Sequence, residues 1–480
     1  MSTSALAVDS PSTLASQVPD TEELQDFARE HLAGRLDGSR GLVLSVPAPV
    51  APPELLLAAD GDPSTGVLWA PAQGAAMAGL GSSHHLRLRG AQRLQKLRRA
   101  SNELFARLEE FHHPDSTAPA PRLLGGLSFA VGSADQGSWS PFGDGFFDLP
   151  RWLYRSDGEQ ASLSLNLPAG CEENPADLVR ELGRILGVLE TSGDDPATAL
   201  AAWATGASPV SVEQMPEEVW HRQVEAIREA IAAGNFRKIV AARRAEVTFS
   251  RPLDPLSLLM RLRQCGPHCR RFTFQRPGLA FLGATPERLI RRQGHRIATE
   301  ALAGSIGSGE GNGRRQGRRL LESQKDLGEH QLVVEHIIGR LQPLCRQLDW
   351  SREPQIRELR NLLHLHTPIR GELREDTHVL KLVELLHPTP AVGGVPAAAA
   401  TRWIAEHELQ ARGWYAGPVG WFDAAGNGEF DVALRSCLLA GNRALVYAGA
   451  GIMLDSDPHL EYQETDLKQR SLLAALGVGE

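Results

Sequence analysis

The chain contains 480 residues, of which 42% are hydrophobic and 22% are charged, and its formal net charge at pH 7 is −8. This composition supports a large folded core, and the acidic balance argues against general binding to nucleic acid. No apolar run reaches the roughly 18 residues that a membrane-spanning helix requires, so we expect no such helix.

The five cysteines are few and odd in number, so we expect no disulfide framework. The first basic residue is Arg29, so the N-terminus lacks the positive start of a secretion signal and the arginines of a transit peptide. Both features predict a cytoplasmic protein.

The first half of the chain has a mixed pattern of elements. Residues 1–20 are rich in Ser, Ala and Pro and predict a disordered tail. Beyond them, apolar runs predict strands at 41–46, 66–70, 124–131 and 161–167, and amphipathic stretches predict helices near 86–112 and 175–189. Residues 192–209 have the composition of a linker.

The second half has clearer boundaries. A helical stripe at 216–233 ends at Gly234, and a strand follows at 239–249, so Lys238 lies where the chain enters a sheet. A long amphipathic helix is predicted at 316–348. Strands follow at 417–422, 429–439 and 444–449, and a last helix begins near Pro458. This irregular order of strands and helices predicts an α+β fold.

Lysine is scarce in this chain. Only five of the 50 basic residues are lysines, namely Lys96, Lys238, Lys325, Lys381 and Lys468. Arginine keeps its proton in proteins, whereas lysine can lose it and act as a base. The scarcity therefore favours special roles for some of these lysines, although chance alone explains Lys96 and Lys381 on ordinary helical surfaces.

Two predicted helices each carry a pair of acids three residues apart. Asp326 and Glu329 share one helix face, and Glu461 and Glu464 share another, with Lys468 one turn further along. Carboxylates from separate helices suit a hard cation such as Mg²⁺. Two solvated helix faces are the alternative interpretation.

Glycine-rich turns and one arginine are candidates for anion binding. Glycines at 417–420, 426–428 and 449–451 would let backbone N–H groups approach an anion closely. Arg435 falls within a predicted buried strand, so it needs a partner, which is either a substrate carboxylate or a structural acid.

Seven motifs, in the same order along residues 215–475, resemble the chorismate-utilising enzymes and specifically the isochorismate synthases. They are FLGATPERL at 281–289, TEALAGS at 299–305, KDLGEH at 325–330, HLHTPIRG at 364–371, LHPTPAVGG at 386–394, WYAGP at 414–418 and EYQET at 461–465. The resemblance implies two packed antiparallel sheets flanked by helices, in a single body with two lobes and the site between the sheets. It also implies that residues 21–205 contribute strands to the same fold and that residues 212–478 form the chorismate-binding catalytic core.

The resemblance implies a reaction in which water adds to C2 of chorismate while the C4 hydroxyl leaves, with Mg²⁺ as cofactor. Lys238 matches the base, and it must be neutral to act; burial and Arg237 or Arg243 would lower its pKa. Glu287 matches the acid that protonates the leaving hydroxyl, and burial among carboxylates would keep it protonated.

The other site residues are carried over from the same resemblance. Glu329 and Glu464 match the Mg²⁺ ligands, with Asp326 and Glu461 in support. The substrate-binding positions are Ala303, Gly304, His364, Tyr415, Arg435, Gly449, Ala450, Gly451 and Lys468. Among these, Tyr415 and Arg435 match the residues that grip the enolpyruvyl carboxylate.

Other reactions within the family, and a protein without activity, are alternatives to this reaction. Ala303 stands where aminodeoxychorismate synthases carry a nucleophilic lysine, and anthranilate synthases lack the base at Lys238, so water is the expected nucleophile. Salicylate synthase, which goes on to eliminate pyruvate, keeps the same acid and base and stays the main alternative. A catalytically dead relative would be expected to lose one of these groups, and none is missing. Chorismate is the expected small-molecule partner, and a monomer is favoured.

Overall fold

The computed structural model describes residues 18–36, 38–59, 65–190, 207–266, 268–308, 313–359 and 362–479. The predicted disordered tail lies outside these residues except for its last three positions, and so does most of the predicted linker. Eleven α-helices are described: α1 Thr21–Leu32, α2 Glu54–Ala58, α3 Arg93–Phe105, α4 Pro175–Glu190, α5 Glu217–Ala232, α6 Pro255–Cys265, α7 Gly313–Glu322, α8 Gln324–Leu341, α9 Val379–Leu386, α10 Ala397–His407 and α11 Pro458–Ala475. None of them is long and apolar enough to cross a membrane.

The strands of the first half run from β1 to β10. They are β1 Gly41–Ala48, β2 Gly66–Ala70, β3 Ala76–Leu80, β4 His84–Leu88, β5 Leu108–His112, β6 Arg122–Leu127, β7 Gly145–Leu149, β8 Trp152–Ser156, β9 Ala161–Leu167 and β10 Pro209–Gln214. Those of the second half are β11 Lys238–Phe249, β12 Arg270–Arg276, β13 Leu279–Thr285, β14 Arg288–Gln293, β15 Arg296–Gly307, β16 Cys345–Trp350, β17 Gln355–Leu359, β18 Leu362–Leu373, β19 Gly394–Val395, β20 Pro418–Asp423, β21 Gly428–Val432, β22 Ser436–Ala440 and β23 Arg443–Ile452.

The strands form two sheets. Sheet A has 13 strands in the order β10-β11-β23-β22-β13-β12-β2-β3-β8-β9-β1-β5, with β19 beside β11. Sheet B has 10 strands in the order β16-β18-β15-β14-β21-β20-β6-β7-β4, with β17 beside β18. Neighbouring strands are antiparallel except for β1 and β5, which run parallel. Strands from both halves of the chain pair within each sheet, since β2 pairs with β12 and β6 with β20.

The core lies between the inner faces of the two sheets. Trp414 is fully buried there, and its ring contacts Phe146 of sheet B and Phe274 and Phe281 of sheet A. A second apolar cluster covers the other face of sheet A and includes residues of α1, α4 and α6. The predicted α+β fold of two packed antiparallel sheets flanked by helices is confirmed. The boundary between residues 21–205 and 212–478 stays a prediction.

Three predicted elements are wrong in detail. The helix expected near 86–112 is β4, α3 and β5, since Gly90 turns the chain with a φ of +79° before the helix begins. The helix expected at 316–348 is two helices and a strand: Ser323 caps the start of α8, and Pro343 lies in the short 3-10 turn that ends it. The strand expected at 429–439 breaks at Arg435, whose φ of +48° ends one strand before the next begins.

Candidate active site

The chain crosses from one sheet to the other at the places where key site residues stand. Pro286 and Glu287 connect β13 of sheet A to β14 of sheet B, and Arg435 belongs to the segment that connects β21 of sheet B back to β22 of sheet A. Because each crossing must span the gap between the sheets, their side chains are delivered to the space between them. A cavity lies there, lined by residues of both sheets.

Most of the predicted site residues line this cavity. They are Glu287, Ala303, Gly304, Glu329, His364, Tyr415, Arg435, Gly449, Gly451, Glu464 and Lys468. Ala450 alternates with its glycine neighbours on β23, and its side chain packs in the core instead. Asp326 and Glu461 line an adjoining outer cleft, which Glu464 also borders.

Lys238 is the first residue of β11, and its side chain is completely buried. Its Nζ atom lies 2.8 Å from Oε1 of Glu329, which α8 projects toward the sheet. Gly451 of β23 leaves room for this ion pair, since a Cβ atom there would lie 2.7 Å from Cε of Lys238 and 2.3 Å from Oε1 of Glu329. The lysine therefore sits directly behind the wall of the cavity.

Arg243, which was expected to act on Lys238, has its own partners on α11. The Arg243 side chain pairs with Asp466, donates a hydrogen bond of 2.6 Å to Thr465 Oγ1 and stacks on the ring of Tyr462. Its charge is thus neutralised by α11. The nearest charged partner of Lys238 is the carboxylate of Glu329 rather than another cation.

Glu287 is buried, and its backbone is fixed on both sides. Its N–H donates to Thr285 Oγ1 at 3.3 Å, and its carbonyl accepts from the N–H of Val432 at 3.1 Å. Burial, with a further contribution from the carboxylate of Glu300, raises the pKa of Glu287 to about 8, although the charge of Lys238 opposes this. At neutral pH the group is therefore a protonated carboxylic acid in the cavity wall.

Sequence reasoning missed the polar cluster behind Glu287. Glu300 accepts hydrogen bonds from the N–H of Arg288 at 2.8 Å and from Arg357 at 3.0 Å, and it lies 2.9 Å from Nε2 of His366. Burial opposes ionisation of Glu300, but its bonds to His366 and Arg357 and the charge of Arg270 lower its pKa to about 2. A glutamate inside an otherwise apolar strand was the signal, because such a group must find cationic partners.

The four candidate metal ligands lie on α8 and α11, which face each other. Three of them have lysine partners: Glu329 pairs with Lys238, Glu461 with Lys325 at 2.5 Å and Glu464 with Lys468 at 2.6 Å. Asp326 instead accepts a hydrogen bond from Ser323. The role of Lys325 as a partner was also missed.

These carboxyl groups lie close enough to repel one another, and this arrangement suits a bound cation. Burial, followed by the charge of Glu464, raises the pKa of Glu461 to about 7. Burial also raises the pKa of Asp326, and the charges of Glu329 and Glu464 add to this effect. Such repulsion between hard oxygen donors is what a bound Mg²⁺ would relieve, so the residues present fit the expected metal.

The far end of the cavity is aromatic and cationic. The rings of Tyr415 and Tyr447 stack with centroids 5.2 Å apart, and burial raises the pKa of Tyr415, so its hydroxyl keeps its proton. Arg435 donates to the carbonyl of Lys468 at 3.0 Å, and Lys468 Nζ donates to the carbonyl of Gly449 at 2.9 Å. These contacts hold two positive charges beside the cavity, where an anion could bind.

His364 lies on the sheet B wall of the cavity. Its Nδ1 lies 3.0 Å from Ser305 Oγ, and its Nε2 is buried without a hydrogen-bond partner in the described structure. Burial, together with the charge of Arg435, places its pKa well below the usual value, so the ring is neutral. Gly304 beside it has a φ of +76° and forms a bulge between β15 and β18.

Arg412 is a further cavity residue that sequence reasoning missed. It pairs with Glu408 at 2.5 Å and donates to the carbonyls of Val240 at 2.8 Å and Val392 at 2.7 Å. Because its donors are engaged by the protein, it fixes the start of β11 against the chain after α9.

The family model for chorismate binding enzymes matches residues 41–477 of this chain. The chain belongs to this family. Chorismate-binding enzymes similar to it include isochorismate synthase MenF of Bacillus subtilis, 35% identical over 366 residues, which cover 75% of this chain and 76% of that relative. The salicylate biosynthesis isochorismate synthase of Pseudomonas aeruginosa is 38% identical over 368 residues, covering 75% of each chain. The predicted resemblance to isochorismate synthases is confirmed.

Solved structures of chorismate-binding enzymes have the same fold. MenF, the menaquinone-specific isochorismate synthase from Escherichia coli, matches with a TM-score of 0.76 and 27% identity over 95% of this chain and 100% of that chain. Anthranilate synthase component I from Streptococcus pneumoniae matches with a TM-score of 0.66 and 21% identity over 83% of this chain and 92% of that chain. The latter likeness concerns the fold alone.

Proposed function

We propose that this chorismate-binding enzyme is an isochorismate synthase, which adds water at C2 of chorismate and releases the C4 hydroxyl. One observation carries the proposal: Glu287, a carboxylic acid with a pKa of about 8, lines the cavity, and the buried lysine Lys238 lies directly behind the cavity wall, 2.8 Å from the lining residue Glu329. Water needs a base to become a nucleophile, and hydroxide needs a proton to leave. The two side chains are the general acid and the general base of this scheme.

Glu329 pairs with the proposed base and also belongs to the carboxylates of α8 and α11. Its Oε1 atom lies 2.8 Å from Nζ of Lys238, so it holds the lysine side chain in place behind the cavity wall.

Glu329 and Glu464 would hold Mg²⁺, with Asp326 and Glu461 in support. When bound, the ion would orient the ring carboxylate of chorismate and neutralise negative charge as hydroxide leaves. Lys325 and Lys468 pair with Glu461 and Glu464 and so hold those carboxylates in position.

The substrate would lie between the two sheets with its enolpyruvyl carboxylate toward Tyr415 and Arg435. A neutral tyrosine and a fixed arginine both donate hydrogen bonds to a carboxylate. Lys468, His364, Ala303, Gly304 and the segment Gly449–Gly451 would complete the pocket. A monomer and a cytoplasmic location stay predictions.

Incubation of the purified protein with chorismate and Mg²⁺, followed by chromatography, tests the proposal. We expect isochorismate as the product, and its formation should stop when a chelator is added. Salicylate with pyruvate would instead indicate the salicylate synthase alternative, and unchanged chorismate with a folded protein would contradict the proposal.

Substitution Lys238→Ala tests the base. Loss of general base catalysis should lower kcat by a factor of about 10² to 10⁴, whereas chorismate binding, measured by calorimetry, should persist. Lys381→Ala is the matched control, because Lys381 is an exposed lysine that pairs only with Glu384 on its own helix. Activity of Lys238→Ala close to that of the control would remove Lys238 from the mechanism.

A further inference from the structure

A second group of metal-ligating side chains lies outside the cavity, where α5 meets the start of α11. Glu217 and His221 lie one turn apart on α5, and His459 lies in the first turn of α11. Oε1 of Glu217 is 2.5 Å from Nδ1 of His459 and 3.3 Å from Nε2 of His221. One ligand atom from each of the three residues lies within 4.8 Å of the other two.

The two helices are fixed to each other at this point. Trp220, which precedes His221, is fully buried and donates from Nε1 to the carbonyl of Pro458 at 3.1 Å. The hydroxyl of Tyr462 donates to the carbonyl of Met215 at 3.0 Å, just before α5. The ligand atoms are therefore held together by contacts on both sides, and little ordering is needed to bring them to one ion.

The electrostatic surroundings favour a cation. Both helices begin here, and their N-termini carry partial positive charge. Asp457 caps α11 by accepting from the N–H groups of His459 and Leu460 at 2.9 and 3.1 Å, so its carboxylate offsets that charge beside the histidine. Glu217, in the first turn of α5, likewise offsets the positive charge at the start of that helix. The Gln463 amide, 2.8 Å from Nε2 of His459, steadies the ring from the solvent side.

We propose that Glu217, His221 and His459 bind a divalent transition-metal ion of the zinc class. Two imidazole nitrogens and one carboxylate oxygen are a donor set that Zn²⁺ and Co²⁺ accept, whereas Mg²⁺ prefers oxygen donors alone. All three side chains are between 40% and 56% exposed, so the ion has access and water can fill its remaining positions. This site is distinct from the carboxylates of the cavity and does not depend on the proposed function.

Such an ion would join α5 to α11 two residues before Glu461 and five residues before Glu464. These two residues are candidate Mg²⁺ ligands and belong to the same helix as His459. The site would therefore fix the start of the helix that carries them.

Metal titration of the full chain tests this proposal. The parent protein for the titration is the full chain with the substitutions Glu329→Gln and Glu464→Gln, which prevent these two cavity carboxylates from competing for the ion. Calorimetry with Zn²⁺, and visible absorption with Co²⁺, should give about one equivalent bound per chain, with the d–d bands of low-coordinate nitrogen and oxygen ligation. Adding His459→Ala or His221→Ala to the same background should weaken binding at least about tenfold.

His407→Ala on that background is the matched control. His407 is an exposed histidine at the end of α10 whose Nδ1 contacts only the backbone of its own helix, at the carbonyl of Trp403. The control should keep the full equivalent, and circular dichroism checks that each variant is folded. The proposal fails if the parent protein binds no Zn²⁺, or if removing either site histidine changes binding no more than removing His407.

Discussion

Burial and a neighbouring carboxylate act together on Glu287. Burial favours the protonated form of this side chain, which is the form that an acid needs, and the charge of Glu300 reinforces the effect. The acid is thus ready in the free protein. Lys238 is also buried, and its Nζ atom is held 2.8 Å from Oε1 of Glu329.

Glu300→Gln should shift the alkaline limb of the pH–activity profile to lower pH. Activity requires protonated Glu287, so it should fall as pH rises through about 8. Lys238, Arg270, Asp431, Glu300 and the Tyr415 hydroxyl are the charged and titratable groups around Glu287. Removing the Glu300 charge, which is ionised at every assay pH, leaves an excess of positive charge that favours ionised Glu287 and lowers its pKa.

The measurement is kcat/KM for chorismate against pH. Glu300→Asp keeps the charge and should restore the original limb, which separates the electrostatic effect from a packing defect. Glu372→Gln, at an exposed ion pair with Arg346 on sheet B, is the neutral control. An alkaline limb that stays in place in Glu300→Gln would show that Glu300 does not act on the acid.

At the scale of elements, α8 and α11 act as one unit because each supplies half of the carboxylates. Glu464→Gln should raise the Mg²⁺ concentration for half-maximal activity by about 10-fold to 100-fold, since it removes one charged oxygen donor and leaves Lys468 without its partner. Titrating activity with Mg²⁺ at saturating chorismate measures this. Glu335→Gln, at an exposed position on the same helix as Glu329, should titrate like the parent.

Gly451 of strand β23 leaves room for the ion pair between Lys238 and Glu329, because it has no side chain. In Gly451→Ala, the new methyl group would collide with Glu329 Oε1 and Lys238 Cε, so we expect turnover to fall about 100-fold through misplacement of the base. Gly339→Ala on α8, where nothing lies within 4 Å of the new methyl group, should keep full turnover and raise stability by about 0.5–1 kcal/mol. Equal turnover in both variants would mean that the pair tolerates displacement.

Periodicity located most helices and strands of the second half but not the breaks within them. The stripe of α5 and the run of β11 were predicted within one or two residues, because each is amphipathic or apolar along its whole length. The break at Ser323 was missed, since apolar periodicity continues through it and only the cap marks it. The break at Arg435 was missed for a related reason: a positive φ at a residue other than glycine has no sequence pattern of its own.

At the scale of the whole molecule, what the sequence could not predict is which strands pair. Sheet A places β2 beside β12 and sheet B places β6 beside β20, so partners are separated by about 200 residues or more along the chain. Long-range register depends on the fit of two surfaces and not on any local pattern. The motifs identified single residues such as Glu287. The charged residues behind it, Arg270, Glu300 and Arg357, lie on the separate strands β12, β15 and β17, which come together only in the folded protein.

The buried acid Glu287 also makes the stability of the whole molecule depend on pH. With a pKa of about 8, it titrates above the usual range of carboxyl groups. It is protonated in the folded chain and ionised in the unfolded chain at pH 6, so the folded state binds more protons there. The contribution of Glu287 to stability is complete below its unfolded pKa of about 4 and is lost as pH rises through its folded pKa.

Glu287→Gln should therefore be inactive and yet more stable than the parent protein at alkaline pH. The amide resembles the protonated acid but cannot ionise, so it never has to bury a charge. The gain in free energy of unfolding should be small near pH 4, grow between pH 4 and pH 8 and then level off, because Glu287 is fully ionised in both states beyond that. Urea unfolding of both proteins at several pH values measures the difference, with Glu372→Gln as the exposed control. A constant difference between the two proteins across this range would mean that Glu287 titrates normally, and the acid of the proposed mechanism would then have to be another residue.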